Sequence, residues 1–183
     1  PRTTKGELLG CFAMTEANSG SDVAATETSA RSDGKNWVLN GNKMWISSGG
    51  IADVALVFAQ TDKSQRHRGI TAFLVERDTP GFSSRNIHNK LGLRDSNTAE
   101  IILHDCPVPA ENILGGPGNG FKVGMYALDC ARLSTAAACV GVGQAAIDAA
   151  VKYARERKQF GKPIGGFQLI QEMVADMVTE TEV

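Results

Sequence analysis

The hydrophobic pattern changes character once along the chain. Up to about residue 116, apolar residues come in short runs separated by Gly, Pro, Asn and Asp. Trp37-Val38-Leu39 and Lys43-Met44-Trp45-Ile46 flank Asn40-Gly41. That arrangement predicts a type I′ hairpin, because both central residues of the turn need φ > 0. Residues 53–60 and 69–76 read as further strands, the second ended by Thr79-Pro80-Gly81. A fourth strand is expected over 98–104, ended by Cys106-Pro107-Val108-Pro109, with 107–118 as a linker. Short strands between turn signals predict an antiparallel barrel or sandwich. No helix-length pattern lies between them, which disfavours a parallel βαβ sheet.

From Pro117 the period becomes helical. Residues 119–158 lack proline and are rich in alanine. They predict one long helix, or two with a bend near Gly141 and Gly143. Lys152, Arg155, Arg157 and Lys158 fall in its last turns and oppose the helix dipole. Gly161 and Pro163 form a stop. Phe167, Ile170, Met173, Val174, Met177 and Val178 then recur at helical spacing and predict a second helix with one apolar stripe. Ala131, Ala138, Gly141 and Ala145 are small enough to allow close helix contacts.

Composition narrows the function classes. The chain has 183 residues, 42% hydrophobic and 21% charged, with 19 Lys+Arg against 20 Asp+Glu. A net charge of −1 gives no footprint for nucleic acid. No uninterrupted apolar run approaches the ~20 residues of a membrane span. Cys11, Cys106, Cys130 and Cys139 form no CxxC pair and have no histidine at ligand spacing, so no metal site is expected. Their low density suggests a reducing compartment. The chain opens on Pro1 without a methionine and reaches Val183 without a helix stop, so it reads as a piece of a longer protein.

Four constellations carry candidate chemistry. In Phe12-Ala13-Met14-Thr15-Glu16 and the following Ala17-Asn18-Ser19-Gly20-Ser21-Asp22, hydroxyls and amides can face an anion or a polar ring. An ordinary Asx or Ser turn explains the same residues. In Trp45-Ile46-Ser47-Ser48-Gly49-Gly50, a flat wall sits beside donors, although a tryptophan is commonly core. Asp129 and Arg132, three apart, share a helix face, as a solvated ion pair also would. Arg157-Lys158-Gln159-Phe160-Gly161-Lys162-Pro163, followed by Phe167-Gln168, can hold phosphates or merely compensate a dipole. His67, His88 and His104 stand apart and receive no role.

The order of these motifs, with Leu91-Gly92-Leu93-Arg94-Asp95-Ser96 and Val108-Pro109-Ala110-Glu111-Asn112-Ile113-Leu114-Gly115 between them, strongly resembles the acyl-CoA dehydrogenase family over essentially the whole chain. The resemblance implies an α+β protein. Residues 1–116 would be an antiparallel β-barrel or sandwich middle domain that binds flavin and acyl-CoA. Residues 117–183 would be the first part of the C-terminal helical domain, long antiparallel helices of a truncated four-helix bundle. It implies FAD, an acyl-CoA substrate, a homotetramer, and electron-transfer flavoprotein or a similar acceptor. It also implies a bacterial cytoplasmic location, favoured over the mitochondrial matrix.

By position, the resemblance carries flavin contacts to Phe12, Met14, Thr15, Gly20, Ser21, Trp45, Ile46 and Ser47. Ser47 stands where the family usually has a threonine whose hydroxyl faces flavin N5, and Ser21 would lie near acyl-CoA and the FAD phosphates. Asp129 and Arg132 match a substrate contact. Arg157, Gln159, Phe167 and Gln168 match positions that reach the FAD of a neighbouring subunit. The implied reaction removes a proton from Cα of an acyl thioester and a hydride from Cβ. It needs a polarised carbonyl, a carboxylate base and aligned reactants. No catalytic residue is assigned within this chain. The slot between Asp129 and Arg132, where some members carry the base, holds Cys130 and Ala131, and Glu16 belongs to the flavin-loop motif. An acyl-CoA oxidase or another flavoenzyme of the same fold, or a non-catalytic fragment, remains an alternative reading.

Overall fold

The protein, described by a computed structural model over residues 2–183 with Pro1 outside the described residues, separates into two units, Pro1–Tyr126 and Ala127–Val183. The first unit holds β1 (Gly10–Ala13), β2 (Ser29–Ser32), β3 (Asn36–Ser47), β4 (Val54–Gln60), β5 (Ile70–Glu76), β6 (Phe82–Asn86), β7 (Thr98–Pro109) and β8 (Ile113–Leu114). They form one sheet in the order β6-β7-β3-β2-β4-β5-β8, with β1 beside β4. Pairing is antiparallel except for β1 with β4 and the single Ser29–Gln60 link between β2 and β4. The path ends on β6 and β8 without closing, so the sheet is sandwich-like and not a barrel. Alternate positions enclose the core: Leu39, Ile46, Val57, Phe73, Val75, Ile101, Leu103 and Val108 are all buried.

The hairpin expected at Asn40-Gly41 is not there. β3 is one twelve-residue strand paired with β7, and the dipeptide sits at a register shift between Leu39 and Gly41. Gly41, at φ 148°, is required by close approach: a Cβ would lie 2.6 Å from the Thr28 Cα. The Asn40 side chain is spent on Asp105, donating to its Oδ1 at 3.0 Å and accepting from its backbone N–H at 2.9 Å. Asn-Gly therefore marks a bulge.

Nor does Cys106-Pro107-Val108-Pro109 end its strand, since β7 runs through to Pro109. Its second neighbour, β6, accompanies it only over Ala99–Leu103. Beyond His104, whose N–H still donates to the Gly81 carbonyl at 2.9 Å, one edge of β7 has no partner strand and can tolerate prolines without N–H groups. Most of the expected linker is thus structured: the last strand residues, a 3₁₀ turn at Ala110–Asn112, then β8 against β5.

Helix α1 (Gly120–Glu156) is a single 37-residue helix, unbroken at Gly141 and Gly143. An interior glycine lowers helix stability by about 1 kcal/mol without breaking the helix. An 18-residue stretch of α1 is also apolar enough by length and composition to cross a membrane, which amends the expectation drawn from apolar runs alone. Helix α2 (Gln168–Glu182) follows. It packs antiparallel to α1, with Gly165 against the Ala154 carbonyl and Thr181 against Gly143. Between the helices lie β9 (Lys158–Gln159) and β10 (Lys162–Pro163), joined by Phe160 (φ 51°) and Gly161 (φ 77°). A two-residue turn with both φ positive is the type I′ geometry expected at the other end of the chain.

Candidate functional site

In the first unit two segments come together beside β1. The chain leaves β1 through Met14 and Thr15, and the Thr15 carbonyl accepts the Met44 N–H at 2.8 Å. That bond ties the Phe12–Thr15 stretch to the stretch that carries Trp45. Next comes a loop whose neck closes on the Glu16 carboxylate. Its Oε1 accepts from Lys43 Nζ at 2.8 Å, Thr26 Oγ1 at 2.5 Å and Thr28 N–H at 3.0 Å, while Oε2 accepts from Glu27 N–H at 2.6 Å. Gly20, Ser21 and Asp22 lie exposed at the loop's far side, and the Ser19 hydroxyl bonds the Asp22 carbonyl at 2.7 Å.

Lys43 is fully buried and Glu16 nearly so. Burial alone would raise the Glu16 pKa, but the Lys43 charge and the hydrogen bonds from Lys43, Thr26 and Thr28 hold it down at about 2. Burial pulls the Lys43 ammonium below its ordinary value, against the opposing pull of Glu16. A carboxylate this acidic and this enclosed is a poor proton acceptor, so Glu16 does not qualify as a catalytic base.

The second segment is a bulge in β3. Register with β7 shifts between Lys43 and Ile46. Lys43 and Ile46 point inward, while Trp45 takes φ 62° and stands 59% exposed. A bulky residue in the left-handed region is strained by roughly 1–2 kcal/mol. The reading of Trp45 as core is therefore overturned. Ser47 is exposed on the same strand end. The turn beyond it is braced: Ser48 N–H donates to the Asn97 carbonyl at 2.8 Å, Gly50 N–H to Asn97 Oδ1 at 2.9 Å, and Arg77 to the Gly50 and Ala52 carbonyls at 2.8 and 3.0 Å. Met14 and Ile46 turn their side chains into the interior, so a ligand at this surface meets only their main chain. Phe12 is half-buried against Phe58, ring centroids 4.9 Å apart. His67, given no role from sequence, meets Phe121 in a tilted ring contact, centroids 5.3 Å apart.

In the second unit, Asp129 Oδ1 and Arg132 Nη1 are 3.1 Å apart, with both side chains exposed. Arg157 lies 25 residues (157 − 132) further along, roughly 38 Å at the rise of a helix. The two arginines cannot serve one end of one small ligand. Arg157, Gln159, Phe167 and Gln168 all sit at or beside the β9–β10 hairpin. There the Phe160 ring meets Phe167 edge-on at 6.1 Å, and Lys162 Nζ lies 4.4 Å over the Phe167 ring. Phe160 is 94% exposed at the hairpin tip, and sequence reasoning gave it no role. The signal was present in Phe160-Gly161 between two short polar pairs.

The acyl-CoA dehydrogenase middle-domain model matches residues 11–106 and the C-terminal-domain model of the same family matches residues 118–183. The chain belongs to the acyl-CoA dehydrogenase family. It is 50% identical, over 99% of its own length and 46% of the relative's, to an acryloyl-CoA reductase (NADH) of Anaerotignum propionicum. It is 47% identical, over 98% of its length and 43% of the relative's, to the mitochondrial short-chain specific acyl-CoA dehydrogenase of Mus musculus. A glutaryl-CoA dehydrogenase solved with glutaryl-CoA superposes with a TM-score of 0.93 at 48% identity, covering 100% of this chain and 46% of that one. A Mycobacterium smegmatis glutaryl-CoA dehydrogenase solved with FADH2 superposes at 0.87 and 40% identity, covering 99% and 45%. The chain thus spans about half the length of the relatives it matches. The surface around Trp45 falls inside the middle-domain match, and Asp129, Arg132 and the hairpin fall inside the C-terminal-domain match.

Proposed function

We propose that this chain is the flavin-holding part of an FAD-dependent dehydrogenase that oxidises the α,β-bond of an acyl-CoA thioester. The observation that carries the reading is Trp45, held out of the core at a strained φ of 62° beside the exposed Ser47 in a chain of this family. Strain concentrated on an exposed aromatic has no packing reason, and such outliers cluster at ligand sites. The residues suit FAD. The Trp45 indole offers a flat wall for the flavin ring, Ser47 a hydroxyl donor at its edge, and the loop tip at Gly20-Ser21 free donors for phosphate. The chemistry the flavin supplies is acceptance of a hydride from Cβ.

Thr15, tied through its carbonyl to the Met44 N–H, and the Trp45 bulge would hold the ring. Asp129 and Arg132 serve the substrate, and Arg157 can bond two pyrophosphate oxygens at once. Its ~38 Å separation from Arg132 supports the assignment of Arg157, Gln159, Phe167 and Gln168 to the cofactor of a neighbouring subunit in a homotetramer. The proton acceptor for Cα lies outside these residues, because Ala131 occupies the helix slot and Glu16 is bound to Lys43. Electrons leave to electron-transfer flavoprotein or a similar acceptor.

Trp45→Gly tests the reading. It relieves the left-handed strain, so stability should hold or rise by about 1 kcal/mol, while FAD titration should show affinity at least tenfold weaker. A loss of several kcal/mol with unchanged FAD affinity would return Trp45 to a packing role.

A further inference from the structure

We infer that Glu16, Lys43 and Thr26 form a positioning device that sets the loop 17–25 against the Trp45 bulge. This rests on the flavin reading only for its consequence, since the geometry stands without a ligand. Among the described residues, Glu16–Lys43 is the one ion pair with both side chains nearly inaccessible, at 5% and 0% exposure. The pair does not join two sheet positions of a core. It joins the neck of a loop to a strand at the point where that strand departs from regular pairing.

The connections are specific. Glu16 opens the loop, and Thr26, Glu27 and Thr28 close it, so one carboxylate gathers both ends of the neck. Lys43 Nζ then makes three contacts: Glu16 Oε1 at 2.8 Å, the Met14 carbonyl at 3.1 Å and Thr26 Oγ1 at 3.1 Å. Those partners lie before and after the loop. Two residues beyond Lys43 stands Trp45. A displacement of the ammonium therefore moves the loop neck and the bulge together. Burying two charges is a poor way to gain stability, since an apolar pair of the same volume is often equal or better. A buried pair placed between a loop neck and a strand bulge gains its value from fixing their separation.

Three variants separate this role from simple stabilisation. Lys43→Met leaves the Glu16 carboxylate buried and unpaired and should strongly lower Tm. Glu16→Gln with Lys43→Met removes both charges and should regain most of the lost Tm. The inference requires that this double variant, though folded, exchange its backbone amides over residues 17–28 and 44–48 at least tenfold faster than the wild type. Amides of β4 and β5 should stay protected in both. Thr26→Val, which keeps the ion pair and removes one bridge, should show the same local loosening to a smaller degree and covers the case in which the double variant does not fold. Exchange in both segments at the wild-type rate, in a double variant of restored Tm or in Thr26→Val, would overturn the inference. FAD titration of the same proteins reads the consequence separately: at least tenfold weaker binding at near-native Tm supports both readings. Raised exchange with unchanged FAD affinity keeps the positioning role and overturns its consequence for FAD, leaving the flavin assignment to Trp45→Gly.

Discussion

The two units solve the burial problem differently. Pro1–Tyr126 encloses its own core: nearly every fully buried side chain lies here, and even its buried charges are paired and hydrogen-bonded. In Ala127–Val183 only Ile147 and Ala154 among the apolar residues are buried, while Leu133, Val140, Val142, Tyr153, Leu169, Met173 and Val178 are exposed. An open apolar groove of about 520 Å³ runs between α1 and α2, lined in part by Val151, Ile170, Val174 and Val178. A sheet can satisfy its apolar face by folding over itself. Two helices offer only one shared seam, and their outward stripes require further surface to cover them.

That contrast can be broken by paired substitutions. Phe73 is fully buried in the first unit, so Phe73→Ala should destabilise by about 3–5 kcal/mol. Val178 is 42% exposed, and Val178→Ala should change stability by less than about 0.5 kcal/mol. Chemical denaturation of both variants checks this, and equal losses would erase the distinction. The next largest effect is acid sensitivity. The Glu16 pKa is depressed to about 2 from 4.5, so its stabilisation is fully present above pH 4.5 and is lost as pH falls towards 2. Glu16→Gln should flatten the stability–pH curve over that window.

A subtler comparison uses one substitution in one helix. A Cβ at Gly124 would run into Met14 Cε and sit 3.3 Å from Phe58, so Gly124→Ala has to displace both and should lose part or all of its helix-propensity gain to overpacking. A Cβ at Gly141 meets nothing within 4 Å, so Gly141→Ala should gain about 0.5–1 kcal/mol from helix propensity. Thermal melts should therefore place Gly141→Ala clearly above Gly124→Ala, and equal shifts would contradict this. The smallest effect is expected at Arg132→Ala. The exposed pair with Asp129 contributes about 0–1 kcal/mol to stability, so Tm should hardly move while acyl-CoA affinity falls.

Much of this architecture was legible in the residues. The switch from short apolar runs to a helical period located both kinds of structure, and the apolar stripe from Phe167 to Val178 found α2. Misreadings arose where one dipeptide serves two backbone needs. Asn40-Gly41 has the composition of a type I′ turn, yet the approach of Thr28 makes glycine necessary within a strand. Phe160-Gly161, which does form such a turn, lacks the asparagine that advertises it. Pro107 and Pro109 looked like terminators because sequence does not show which strand edge is unpaired. At the candidate site, the residues around Glu16 and Trp45 were found as motifs. The pairing of Glu16 with Lys43 joins residues 27 apart and depends on a register that no local pattern encodes.

In the proposed enzyme, the Trp45 surface and the β9–β10 hairpin would serve FAD from different subunits. Bound FAD per subunit and assembly state, measured together for the protein and for Arg157→Ala, test that proposal. The expected result is FAD retained only in the oligomer, and an Arg157→Ala oligomer of unchanged size that loses most of its FAD. Full FAD occupancy in a monomer carrying Arg157→Ala would contradict it.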